Sequence, residues 1–88
     1  MYKLKLACRN TEATMEFRMD CAFVIIVNAN DMKVNNLADK LANQSQFANV
    51  NRISKLDNTA SISGTFIKGY NLIEAKIQFA KCFEKIYC

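Results

Sequence analysis

The stretch "CAFVIIVNAND", Cys21–Asp31, decides how many strands this chain holds. Upstream of it apolar and polar residues alternate, whereas Ala22 to Val27 are apolar without a break. A run that is apolar on both faces is either a central strand covered on both sides or the preceding strand prolonged through a bulge. In both cases "NAND" ends it, because these side chains bond their own backbone and favour turns and helix starts. Asn30 or Asp31 is therefore the expected N-cap of a helix.

Towards the N-terminus, Tyr2, Leu4, Leu6 and Cys8 alternate with Lys3, Lys5, Ala7 and Arg9. That period of two marks a strand with one face on a core and a basic face towards water. "NTEA", from Asn10, is expected to turn the chain into a second strand of the same kind, with Met15, Phe17, Met19 and Cys21 alternating against Glu16, Arg18 and Asp20. Setting Leu6 near Phe17 and Leu4 near Met19 brings both apolar sets to one side.

Towards the C-terminus, Val34, Leu37, Ala38, Leu41 and Ala42 recur at helical spacing. Asn35, Asn36, Asp39, Lys40, Asn43 and Gln46 fall opposite, so a first helix ending near Gln44 is expected. "VNRISKL" and "TASISGTFI" read as strands around Asp57-Asn58, the strongest hairpin signal of this half, with Gly69 closing the last strand. The closing stretch "NLIEAKIQFAKCFEKIYC", Asn71–Cys88, is a helix with the Asn71/Glu74 spacing of a capping box and Lys81 and Lys85 towards the negative end of its dipole. At about 100° per residue its apolar positions cover about 220°, wider than one sheet face requires. Lys76 falls inside that arc between Phe83 and Tyr87, and Glu84 lies near its edge. A lysine so placed either snorkels, its methylenes on apolar neighbours and its ammonium in water, or marks a part of the arc that is offered to a partner.

The expected architecture is thus α+β, a two-layer sandwich in ββ(β)αββα order. An antiparallel sheet of four to five strands would carry both helices on one face. Eighty-eight residues suffice for a single compact domain spanning residues 1–88. With 51% hydrophobic and 23% charged residues and two glycines the chain has the composition of an ordered globular protein. Lys3 and Lys5 interrupt any apolar signal-peptide core, and the Cys21–Val27 run is far shorter than the roughly 20 residues of a membrane span. Those features point to no membrane and a reducing cytoplasm. There the four cysteines, at 8, 21, 82 and 88, would be thiols, with Cys8, Cys21 and Cys82 buried as small hydrophobes and Cys88 the reactive one. Their wide spacing argues against a zinc site, and no cofactor is expected.

Histidine is absent, the eight carboxylates are scattered, and two glycines form no phosphate-cradling loop. Together these argue against an enzyme, and no catalytic residue is assigned. Twelve basic against eight acidic residues, with a pI near 9.0, make nucleic-acid binding an alternative, with Lys3, Lys5, Arg9 and Arg18 as its most coherent surface and Tyr2 and Tyr70 as stacking candidates. The preferred expectation is a non-catalytic module that binds another protein. Ile73, Lys76, Phe83, Glu84 and Tyr87 of the last helix would make the contact, and a homodimer through the same helix is compatible with it. In size and poverty of motifs the chain resembles the small inhibitors that phages and other mobile elements encode against host defence, anti-CRISPR proteins among them. The resemblance implies steric occlusion of a target protein and assigns no residue.

Overall fold

Residues 2–43, 48–67 and 71–88 are described by a computed structural model. The expected helix end at Gln44, Gln46 on its outer face, the strand end at Gly69 and the ring of Tyr70 lie outside the described residues, as does the side chain of Tyr2. In chain order the elements are β1 (Tyr2–Cys8), β2 (Thr11–Phe17), β3 (Ala22–Val27), α1 (Met32–Asn43), β4 (Ala48–Leu56), β5 (Thr59–Phe66) and α2 (Leu72–Tyr87). The strands form one antiparallel sheet in the order β1-β2-β3-β5-β4, and with two helices the class is α+β.

Cys21–Val27 is resolved in favour of a separate strand. β2 stops at Phe17, and the chain reverses through Asp20 and Cys21, whose φ of 61° and 63° are both left-handed. The Ala22 N–H donates to the Met19 carbonyl at 3.3 Å across that turn, and the Arg18 N–H donates to the Ala22 carbonyl at 2.8 Å. Two consecutive left-handed residues match the twist of paired strands, which is why a tight hairpin forms where continuous alternation suggested a longer strand. β3 is central but not covered on both sides. Phe23, Ile25 and Val27 are buried, Val24 is half-buried, and Ile26 is 43% exposed.

The β1–β2 register differs from the expected one. Leu4 stands opposite Met15 and Leu6 opposite Ala13, so Leu6 does not meet Phe17. Arg9 adopts φ 57°, which lets the chain turn over Arg9-Asn10 alone and frees Thr11, Glu12 and Ala13 to join β2. The Leu6 partner thus moves by four residues, an even number, so the apolar sets still share one face. The β4–β5 hairpin turns at Asp57-Asn58 as its sequence signalled, with Asp57 at φ 54°.

In-register rows define the core face. Phe17, Phe23 and Gly64 form one row, Met15, Ile25 and Ile62 the next, and Ala13, Val27 and Ala60 the third. All nine are buried. On this face α1 lies beside β4 and α2 beside β1, with the helices touching each other. Val34, Leu37, Ala38 and Leu41 supply the α1 side of the core, and Ala75, Phe79, Cys82, Phe83 and Tyr87 the α2 side. Phe66 of β5 stacks beside neighbouring strands of the sheet, its ring 5.4 Å from Phe17 and 5.1 Å from Phe23. Burying an aromatic ring of this size contributes about 2–3 kcal/mol, so Phe23, Phe79 and Phe83, each almost fully buried, carry much of the single core.

Candidate interaction surfaces

The arc of α2 splits into two parts. Asn71 caps the helix, its side-chain oxygen accepting from the Glu74 N–H at 2.7 Å, as the sequence spacing implied. Below the cap, Ala75, Phe79, Cys82 and Phe83 recur every three to four residues and are buried. Leu72, Ile73 and Ile77 face outward with 41%, 68% and 43% of their surface exposed. Lys76 is half-buried beside them. Of the five residues expected to meet a partner, Ile73 and Glu84 are exposed and Lys76 lies at the margin. Phe83 and Tyr87 are 1% and 5% exposed and belong to the core, because the ridge they occupy points at the sheet and at α1. Leu72 and Ile77, absent from that set, complete the outward patch.

Tyr87 sits where α2 ends against the start of α1. Asp31 caps α1, its carboxylate accepting from the Lys33 N–H at 3.0 Å, while Asn30 donates to the Asp57 carbonyl at 2.8 Å and ties the helix start to the β4–β5 turn. Lys33 Nζ stands 5.8 Å from the centre of the Tyr87 ring. The Tyr87 hydroxyl is buried and finds no hydrogen-bond partner among the described residues. Burial, with the Asp31 charge adding to it, pushes its pKa up to about 12.

Among the described residues no helix lies on the other face of the sheet. Lys3, Glu16, Val24, Ser63 and Arg52 form one row across all five strands, and Lys5, Thr14, Ile26, Ser61 and Ser54 the next. Lys3 and Lys5 thus share a face as expected, but Lys3 stands directly opposite Glu16, and Glu12 follows on the same strand. Arg9 lies in the β1–β2 turn and Arg18 just past the other end of β2. These two are separated by about 20 Å at the usual rise of a strand, so the four cations do not gather into one patch. Arg52 joins the row from the far edge, a cation that β4 periodicity did not connect with Lys3.

A shallow groove along α1 is lined by Asn36, Asp39, Lys40 and Asn43 together with Ile86 of α2. Among the described residues no three His, Cys, Asp or Glu side chains gather. None of the helices is long and apolar enough to cross a membrane, among the same residues.

The cysteines differ most from expectation. Cys8 and Cys88 are joined in a disulfide, their Cα atoms 5.9 Å apart, across 80 residues of chain. Cys88 is therefore not a free reactive thiol. It caps α2, its N–H donating to the Glu84 carbonyl at 2.9 Å, and this places its sulfur beside the end of β1. Cys21, expected in the core, is exposed because it occupies the β2–β3 turn, and Cys82 is buried. Burial raises the pKa of the Cys82 thiol, outweighing the opposite pull of Lys40 and Lys85.

Compared with known proteins, the chain matches no family model, no curated protein and no solved structure.

Proposed function

We propose that the chain is a non-catalytic protein-binding module whose contact surface is the outward half of α2. The observation that carries this reading is the cluster of Leu72, Ile73 and Ile77, three large apolar side chains at 41%, 68% and 43% exposure within six residues of one helix. Grouped exposed apolar side chains of this size, rimmed by charge, are the usual composition of the centre of a protein interface. Lys76 and Glu74 supply the charged rim. A compact target-occluding inhibitor, of the kind mobile elements encode, needs no more than such a patch on a stable scaffold. The absence of histidine agrees with a role without proton-transfer chemistry. Nucleic-acid binding is the weaker reading, because Glu16 and Glu12 stand among the lysines of the open sheet face.

The test compares the tagged wild type with Ile73→Asp in capture from a host-cell lysate treated with nuclease at high salt. Ile73 is exposed, so the substitution should leave the melting temperature within about 2 °C, as surface changes usually do. A protein band captured by the wild type and lost with Ile73→Asp supports the module. Equal capture by both, or nucleic acid recovered in a parallel capture without nuclease at low salt and lost at high salt, removes this assignment of the surface.

A further inference from the structure

The Cys8–Cys88 bridge joins the first strand to the last helix, the two elements that begin and end the described chain. β1 is an edge strand with one neighbour, β2. Its inward residues Leu4, Leu6 and Cys8 are only half-buried, unlike Met15 of β2 or Ile25 of β3. α2 lies beside β1, and the bridge sets its C-terminal end against the end of that strand. Beyond Phe83 and Tyr87, then, the last turn of α2 has a thin apolar hold on β1, and the covalent bond lies at that place. Cys88 is exposed and Cys8 half-buried, so the bridge lies at the surface of the molecule. By contrast β2, β3, β5 and β4 pair continuously and hold the deep core without the bridge.

We infer that the Cys8–Cys88 bridge is a redox latch, closed in an oxidising compartment and opened by dithiol reductants, which sets whether the end of α2 stays on β1. In the opening step one thiolate of the reductant attacks the Cys88 sulfur, and Cys8 leaves as a thiolate that takes up a proton. The second thiolate of the reductant then attacks the mixed disulfide, releasing Cys88. The protein gains two thiols and the reductant becomes a disulfide. Cys82 does not compete as a nucleophile, since it is buried and its thiol is held protonated. The latch operates whether or not the outward half of α2 meets a partner.

The test uses the whole chain, prepared under air and then with or without dithiothreitol, with Cys21→Ser as the background to exclude pairing between molecules. Two free thiols are expected in wild type prepared under air, Cys21 and Cys82, and four after reduction, against one and three in the Cys21→Ser background. Hydrogen exchange at β1 and at residues 84–88 should rise at least about tenfold on reduction, and by clearly more than at β3 and β5. Cys88→Ser should show the pattern of the reduced protein without reductant, and if that variant does not fold, reduced wild type serves in its place. Four free thiols before reduction, exchange unchanged by reduction, or an equal rise in every strand would each overturn the latch.

Discussion

Tyr87 shows how a residue can fit a core by shape and still oppose it by chemistry. Its ring packs 5.0 Å from Phe83 and under Lys33, but its hydroxyl is buried without a partner. An unsatisfied buried hydroxyl costs about 1–3 kcal/mol, so Tyr87→Phe should be neutral or stabilising in a denaturant melt at pH 7. The pH dependence has a definite sign. With its folded pKa raised from 10.0 to about 12, the phenol keeps its proton in the folded state where the unfolded chain has lost it. Stability is therefore unaffected by this group below pH 10 and falls as pH rises from 10 towards 12. Wild type should lose stability more steeply than Tyr87→Phe across that window, and parallel curves would contradict the buried position of the hydroxyl.

At the scale of an element, β5 and β4 approach unusually closely. Gly64 faces the core between Phe23 and Val50, just before the register shift at Val50/Arg52. A Cβ placed there would collide with the Asn49 carbonyl oxygen and stand 3.0 Å from the Phe23 ring. A backbone carbonyl cannot rotate away as a side chain can, so Gly64→Ala must push the strands apart. The expected loss is about 1–3 kcal/mol, read as a lower midpoint in urea unfolding with the slope unchanged. The same shift bends β4 at the sheet edge, where Arg52 and Lys55 also discourage pairing with another chain. β1 guards the opposite edge with Lys3 and Lys5. Both strand edges thus carry cations, although β4 also exposes Ile53 and Leu56, by 40% and 70%.

For the molecule as a whole, the bridge closes a loop of 80 residues. In the chain-entropy account a closure of that length removes about 4 kcal/mol of unfolded-state freedom, against a total stability of about 5–15 kcal/mol for a small domain. Full reduction should consequently lower the thermal midpoint by well over 10 °C, measured by circular dichroism with and without reductant. A midpoint that does not move would mean that the bridge contributes nothing to global stability. The bridge also revises what composition suggested about surroundings. A covalent tie of this kind persists in oxidising conditions, whereas Lys3 and Lys5, by interrupting any apolar signal-peptide core, pointed to free thiols in a reducing one.

Much of the architecture follows from local pattern. The alternations of β1 and β2, the periodic apolar residues of α1, the Asp57-Asn58 turn and the Asn71 cap are all legible, because each depends on residues within about one turn or one hairpin of each other. Asp20-Cys21 was not legible as a turn, since cysteine has no special preference for the left-handed region and the pairing of β3 with both β2 and β5 imposes the reversal. The candidate surface was half legible. Helical periodicity marked the wide arc that holds Ile73, Lys76, Phe83, Glu84 and Tyr87, but a period cannot say which part of an arc meets the sheet. Only the angle at which α2 lies across β1 and α1 buries Phe83 and Tyr87 and leaves Ile73 and Ile77 in water. The meeting of Cys8 with Cys88 belongs to the same class. Sequence by itself determined the elements and their inward faces, because those depend on neighbours in the chain. Tertiary structure alone decided which ends meet and which faces stay open, because contacts across 80 residues depend on the packing of every element between them.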